Sequence, residues 1–177
     1  LAMAATASRF GPLAQRYGMR RLMIYGYVGL GASMLALASF TPQTPYVVVA
    51  CFFTVLGVGL GLAVPATGAA AMAAVPRAVS GSASATLNAL RQSGMTIGIA
   101  LLGTVMGSRA ISAMSGALSE AREADAATLA GLAVRRHEMP AGLALAPDLF
   151  KPMLASAFAQ GFSSAAICAG LFGLLVP

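Results

Sequence analysis

Between residues 84 and 95 several polar groups stand in a stretch otherwise apolar. Ser84, Asn88, Arg91, Gln92 and Met95 fall on one face of a helix, with the small Gly98 beside them. A hydroxyl, two carboxamides and a guanidinium offer donors and acceptors, and within hydrocarbon such groups must pair across helices or meet a polar ligand. That face is expected to point into protein or water, which makes its members candidates to line a cavity. Arg91 has a second reading. Counted back about 20 residues from Ser108, the length of one crossing, it reaches the inner interface, where a long cationic side chain snorkels cheaply. Asn88 and Gln92 also suit hydrogen bonds between helices.

Two further groups stand out. Gly57, Gly59 and Gly61 precede Pro65 in an uncharged run; proline removes a backbone hydrogen bond and glycine softens a helix, so a hinge or a static kink is expected there. The stretch SRFGPLAQRYGMRR places Arg9, Arg16, Arg20 and Arg21 around Gly11, Pro12 and Gly18. It reads as a basic turn punctuated by helix breakers. Other chemistry is poorly supported. His137 has no second His or Cys near it in sequence, Cys51 and Cys168 lie in apolar segments, and no nucleophile triad or phosphate-cradling glycine loop is present. Neither an enzyme nor a bound metal or cofactor is expected, and most of the ten Met residues read as packing.

The elements that carry these residues follow from composition. Of 177 residues 58% are hydrophobic and 9% charged, against roughly a quarter charged in soluble domains. The mean hydropathy is +0.82. The apolar residues come in runs of about 20 or more, enough to cross a hydrocarbon core of roughly 30 Å as helix. The predicted fold is an all-α integral membrane protein with four transmembrane helices. Abundant Gly and Ala suit closely packed membrane helices, and Trp is absent. The net charge of +6 fits arginines retained on the inner side better than a nucleic-acid surface.

Along the chain, residues 1–8 resemble the end of a preceding transmembrane helix, and 9–21 form a cytoplasmic basic loop. Residues 22–40 are a first full span, ended by TPQTP. Residues 46–75 are a long second span expected to tilt or kink, because about 30 residues of helix exceed the hydrocarbon thickness. A short turn with Arg77 leads to a third span, 82–108. Residues 110–153 hold all five acids, Glu120, Glu123, Asp125, Glu138 and Asp148; this is the extracytoplasmic loop, with a short amphipathic helix in SEAREADAATLAGLAVRR. Residues 154–177 are a last span, and both chain ends look cut.

GPLAQRYGMRR resembles the signature loop of the major facilitator superfamily, G-x-L-A-D-R-x-G-R-R. Gly11, Leu13, Ala14, Arg16, Gly18, Arg20 and Arg21 match, Met19 is an insertion or shift, and Gln15 replaces the acid. From Gly57 to Met106, GVGLGLAVPATGAAAMAAVPRAVSGSASATLNALRQSGMTIGIALLGTVM is similar to the penultimate helix pair of the fourteen-helix drug:proton antiporter branch. It shares the Gly-rich helix ending in Pro, the VP…SG turn and the N-x-x-R-Q-x-G run. The long outer loop before a helix beginning AFAQGF also resembles that branch. The resemblance implies the C-terminal part of a multidrug efflux permease in a bacterial inner membrane, with these helices in its C-terminal bundle. It implies as partners the remaining N-terminal helices, an amphipathic small-molecule substrate, protons and the lipid bilayer, and no nucleic acid. A metabolite or sugar transporter of the same superfamily, and a stand-alone four-helix structural or assembly subunit, remain as alternatives.

Overall fold

The structure is a computed structural model that describes residues 2–40, 44–121, 125–140, 143 and 147–175. Among them every regular element is helical: α1 (Ala2–Ser8), α2 (Phe10–Tyr17), α3 (Met19–Ala38), α4 (Tyr46–Ala73), a 3-10 turn (Arg77–Val79), α5 (Ser80–Glu120), α6 (Ala126–Arg136) and α7 (Pro147–Leu175). Four of these helices, α3, α4, α5 with its leading turn, and α7, are long and apolar enough to cross a membrane. The expected all-α integral membrane fold is what the chain adopts.

The helix ends follow local chemistry. Gly18 takes φ +82°, a conformation that glycine enters without a Cβ penalty, and its N–H bonds the Ala14 carbonyl at 3.0 Å. That one residue closes α2 and opens α3. Pro45 caps the start of α4, which ends at Ala73 ahead of Val75 and Pro76. Asp148 lies in the first turn of α7, where a negative charge complements the helix dipole. The middle of the TPQTP loop, residues 41–43, and Arg122 and Glu123 of the acidic stretch lie outside the described residues.

Several segments are more helical than the composition suggests. The basic turn at residues 9–21 carries α2, whose Phe10, Leu13 and Ala14 are half-buried while Gly11, Gln15 and Arg16 are exposed. Its proline is near the first turn, where the missing N–H costs little. Helix α5 does not stop near Arg109 but runs to Glu120, 41 residues in all, or about 60 Å at 1.5 Å per residue. No proline interrupts residues 109–120, and Ala110, Met114 and Leu118 recur every fourth position on one buried stripe. Helix α7 likewise begins at Pro147, ahead of the apolar run at 154.

The chain forms two compact units, residues 1–99 with 167–177, and residues 100–166. In the first, α3 and α4 pack antiparallel with their backbones close together at glycines. A Cβ on Gly26 would lie 2.7 Å from the Ala63 nitrogen, and one on Gly59 would lie 2.9 Å from the Gly26 carbonyl oxygen. Small residues let helix backbones approach closely where lipid provides no hydrophobic drive for association. The last turns of α7 meet α3 in the same manner: a Cβ on Gly31 would stand 2.8 Å from the Gly170 oxygen, and one on Gly173 would stand 3.3 Å from the Gly31 Cα.

The second unit has a side-chain core. Met114 and Leu118 of α5, Ala130, Ala133 and Val134 of α6, and Phe150 and Ala157 of α7 are buried together, with Leu143 closing the cluster. Helix α6 lies within the amphipathic stretch expected there, and its apolar stripe is what it buries. The His137 ring stacks on Phe158 with centroids 4.9 Å apart and planes 11° from parallel.

Candidate functional site

The polar groups of the first unit divide among three places. The first is the basic stretch. Arg9 immediately precedes α2 and Arg16 lies in its last turn, while Arg20 and Arg21 open α3. Arg9, Leu13 and Arg16 share a face at i, i+4 and i+7. With Thr6, Ser8 and Tyr17 they line an open hollow of about 910 Å³ between α1 and α2. The Arg16 guanidinium lies over the Tyr17 ring, 5.6 Å from its centroid. Gln15 is exposed and makes no side-chain hydrogen bond with a described residue. Gly11 has nothing within 4 Å of a notional Cβ, whereas Gly18 holds a positive φ. Of the two signature glycines, only Gly18 is required by the backbone here.

The second place is the middle of α4. Gly57 and Gly61 face α1, where added Cβ atoms would lie 3.3 Å from the Ala2 Cβ and 2.8 Å from the Met3 oxygen, and Gly59 faces α3. These glycines are contact surfaces for two different neighbours. Pro65 is inside the helix, so the Gly61 carbonyl has no N–H four residues on. Two residues further, the Tyr27 hydroxyl meets Thr67 Oγ1 at 3.0 Å, and Thr67 Oγ1 is 2.8 Å from the Ala63 carbonyl. The single Thr67 proton is donated to that carbonyl, so Tyr27 is the donor to Thr67. This bond between α3 and α4 joins residues 40 apart in sequence.

The third place is the polar face of α5. Ser84, Asn88, Arg91, Gln92 and Met95 are all exposed, and Gly94 and Gly98 have nothing within 4 Å of a notional Cβ. The face is thus uncovered by the rest of its unit. Arg91 is the exception in direction, since its Nη2 approaches within 3.8 Å of a notional Cβ on Gly68. Gly68 lies five residues before the end of α4, whose last carbonyls form the negative end of the helix dipole. The same end of α4 and the start of α5 enclose a shallow apolar groove with Met72, Val75, Leu87 and Leu90 along it.

Likeness to known proteins agrees with this membrane architecture. The chain is 28% identical over 164 residues to the multidrug efflux pump LfrA of Mycolicibacterium smegmatis, covering 91% of this chain and 32% of the relative. It is 32% identical over 95 residues to multidrug resistance protein 3 of Bacillus subtilis, covering 54% of this chain and 19% of the relative. It is 32% identical over 97 residues to the methylenomycin A resistance protein of Streptomyces coelicolor, covering 55% and 20%. The chain spans at most 32% of the length of these relatives. No family description matches it, and no solved structure does.

The three groups singled out in the sequence are therefore distributed rather than gathered into one pocket. Two features gave no sequence signal. The Tyr27–Thr67 bond depends on the facing register of α3 and α4. Ser33 of α3 is buried at 1% exposure, and its hydroxyl has no hydrogen-bond partner. Thr6, Thr54, Thr67, Thr86, Thr96 and Thr104, by contrast, each bond the carbonyl four residues back. The described acids sit at or between helix ends: Glu120 closes α5, Asp125 precedes α6, Glu138 follows it, and Asp148 opens α7.

Proposed function

We propose that this chain is the C-terminal part of a proton-coupled secondary transporter of the major facilitator superfamily, in its fourteen-helix drug:proton antiporter branch. It exports drugs or other amphipathic small molecules across a bacterial inner membrane. The observation that carries the reading is the likeness over 164 residues to a multidrug efflux pump; the four apolar helices with an uncovered polar face on α5 support it. In this reading that face, Ser84, Asn88, Arg91, Gln92 and Met95, is turned toward further helices of the same protein or toward substrate. Pro65 is the point where α4 flexes, because one backbone hydrogen bond is absent there.

Proton coupling requires a titratable group within the membrane. The described carboxylates flank the helices, so the coupling carboxylate belongs to the N-terminal helices of the whole transporter. The test uses the full-length protein in bacterial cells lacking their own efflux pumps. Accumulation of a lipophilic cationic dye is expected to fall, and a protonophore is expected to restore it. Unchanged dye accumulation together with sugar-stimulated proton release would overturn the reading. The 177-residue chain reconstituted alone is expected to move no dye.

A further inference from the structure

The first unit contains Arg9, Arg16, Arg20, Arg21, Arg77 and Arg91 and not one Asp or Glu, because all five acids of the chain lie between residues 120 and 148. These cations collect at one end. The facing pairs Gly26 with Ala63 and Gly59 with Leu30 fix an antiparallel register, which brings the start of α3, with Arg20 and Arg21, level with the end of α4. Arg77 follows that end and Arg91 reaches toward Gly68 beside it. No ion pair forms among the described residues of this unit. This end of the unit therefore presents six cations with no acid beside them among its described residues.

The hollow between α1 and α2 is where the geometry is most developed. Its volume, about 910 Å³, falls within the roughly 300–1,000 Å³ typical of small-molecule sites. Two guanidinia stand on the same face seven residues apart, about 10 Å along the helix axis. An anion lying between them is attracted by both. Arg16 lies over Tyr17 with its Cζ 5.6 Å from the ring centroid, a contact made by the guanidinium carbon that leaves N–H donors whose planar fork matches two phosphate oxygens. Leu13 and Pro12 supply an apolar lip beside the cations. A headgroup phosphate with acyl chains continuing into hydrocarbon matches this combination better than a fully hydrated ion does.

We infer that the hollow bounded by Thr6, Ser8, Arg9, Leu13, Arg16 and Tyr17 binds the phosphate of an anionic phospholipid headgroup. Arg9 and Arg16 are the recognising groups, and Tyr17 positions the Arg16 fork. The inference does not rest on the transport reading, since it needs only that this end of the unit meets a lipid headgroup layer.

The experiment is native mass spectrometry of the full-length protein in detergent, titrated with phosphatidylglycerol and, separately, with phosphatidylcholine or inorganic phosphate. A first bound phosphatidylglycerol is expected well before phosphatidylcholine binds. Arg9→Gln with Arg16→Gln is expected to weaken that site roughly thirtyfold, each cation near an anionic surface contributing about fivefold. Arg77→Gln, a cation outside the hollow, is expected to leave it within about twofold, because its charge acts on this site only at long range. Equal loss from Arg77→Gln would mean a diffuse charge effect and would overturn the assignment, as would unchanged binding in the double variant. Displacement of the lipid by millimolar inorganic phosphate would overturn it in favour of a free-anion site. If the double Gln variant cannot be purified, Arg9→Lys with Arg16→Lys carries the test: it keeps the charge but loses the fork. Several-fold weakening is expected, and full retention would sink the role given to the guanidinium geometry.

Discussion

In residues 1–99 with 167–177, Gly26, Gly31, Gly59, Gly61 and Gly170 bring helix backbones together where a Cβ would lie 2.7 to 3.0 Å from a neighbouring atom. In residues 100–166, Met114, Leu118, Val134 and Phe150 fill the space between helices, and one glycine contact stands beside that core, where a Cβ on Gly161 would lie 2.5 Å from the Met106 oxygen. The expectation that residues 110–153 lie outside the bilayer would account for the difference. Lipid tails are as apolar as leucine, so burying a large side chain between membrane helices gains little, and close backbone contact must supply the attraction. Where water is the alternative, burial of a large apolar side chain is favourable and a packed core forms. Charge is divided in the same way, with every acid in the second unit and six arginines without acids in the first.

Substitutions can break or sharpen this contrast. Met114→Ala should cost about 3 kcal/mol, because it leaves a cavity in a side-chain core; thermal unfolding followed by circular dichroism would show it. A negligible change would mean the second unit is not held by its core. Gly26→Ala should cost about 2 kcal/mol, since its Cβ would meet backbone rather than a side chain that can move away. Gly94→Ala, with open space around it, should be neutral or stabilising by up to about 1 kcal/mol through helix propensity. Equal losses at positions 26 and 94 would refute packing through glycine contacts. Ser33→Ala should stabilise the first unit by about 1 kcal/mol, because it removes a buried hydroxyl that nothing satisfies. A loss of stability in the same melt would show that the hydroxyl has a partner.

Hydrophobic run length and low charge marked the apolar bodies of all four long helices, since those properties belong to single segments. The helix within the basic turn was hidden by its Gly11 and Pro12, which read as breakers although a proline near a first turn is tolerated. The extension of α5 past Arg109 was hidden by the arrival of charge, while the Ala110, Met114 and Leu118 stripe that holds it became meaningful only once a partner surface existed. At the candidate site, residue types were legible and neighbours were not. Gly57, Gly59 and Gly61 read as softness in sequence, but each faces a specific backbone. The place of Arg91 along its span could be counted from Ser108, yet its approach to Gly68 depends on where the turn at Arg77–Val79 sets α5 beside the end of α4. Ser33 looked like any small residue in a Gly-rich span.

The interlock of Gly26 with Ala63 and of Gly59 with Leu30 also restricts how the first unit can move. Shifting α4 by one residue along α3 would bring Val58 or Leu60 against the notch that now receives Gly59, and a close-packed interface does not yield continuously to such a step. Piston-like sliding of the two helices is blocked. On this packing α3 and the part of α4 before Pro65 are expected to shift together, with bending left to Pro65.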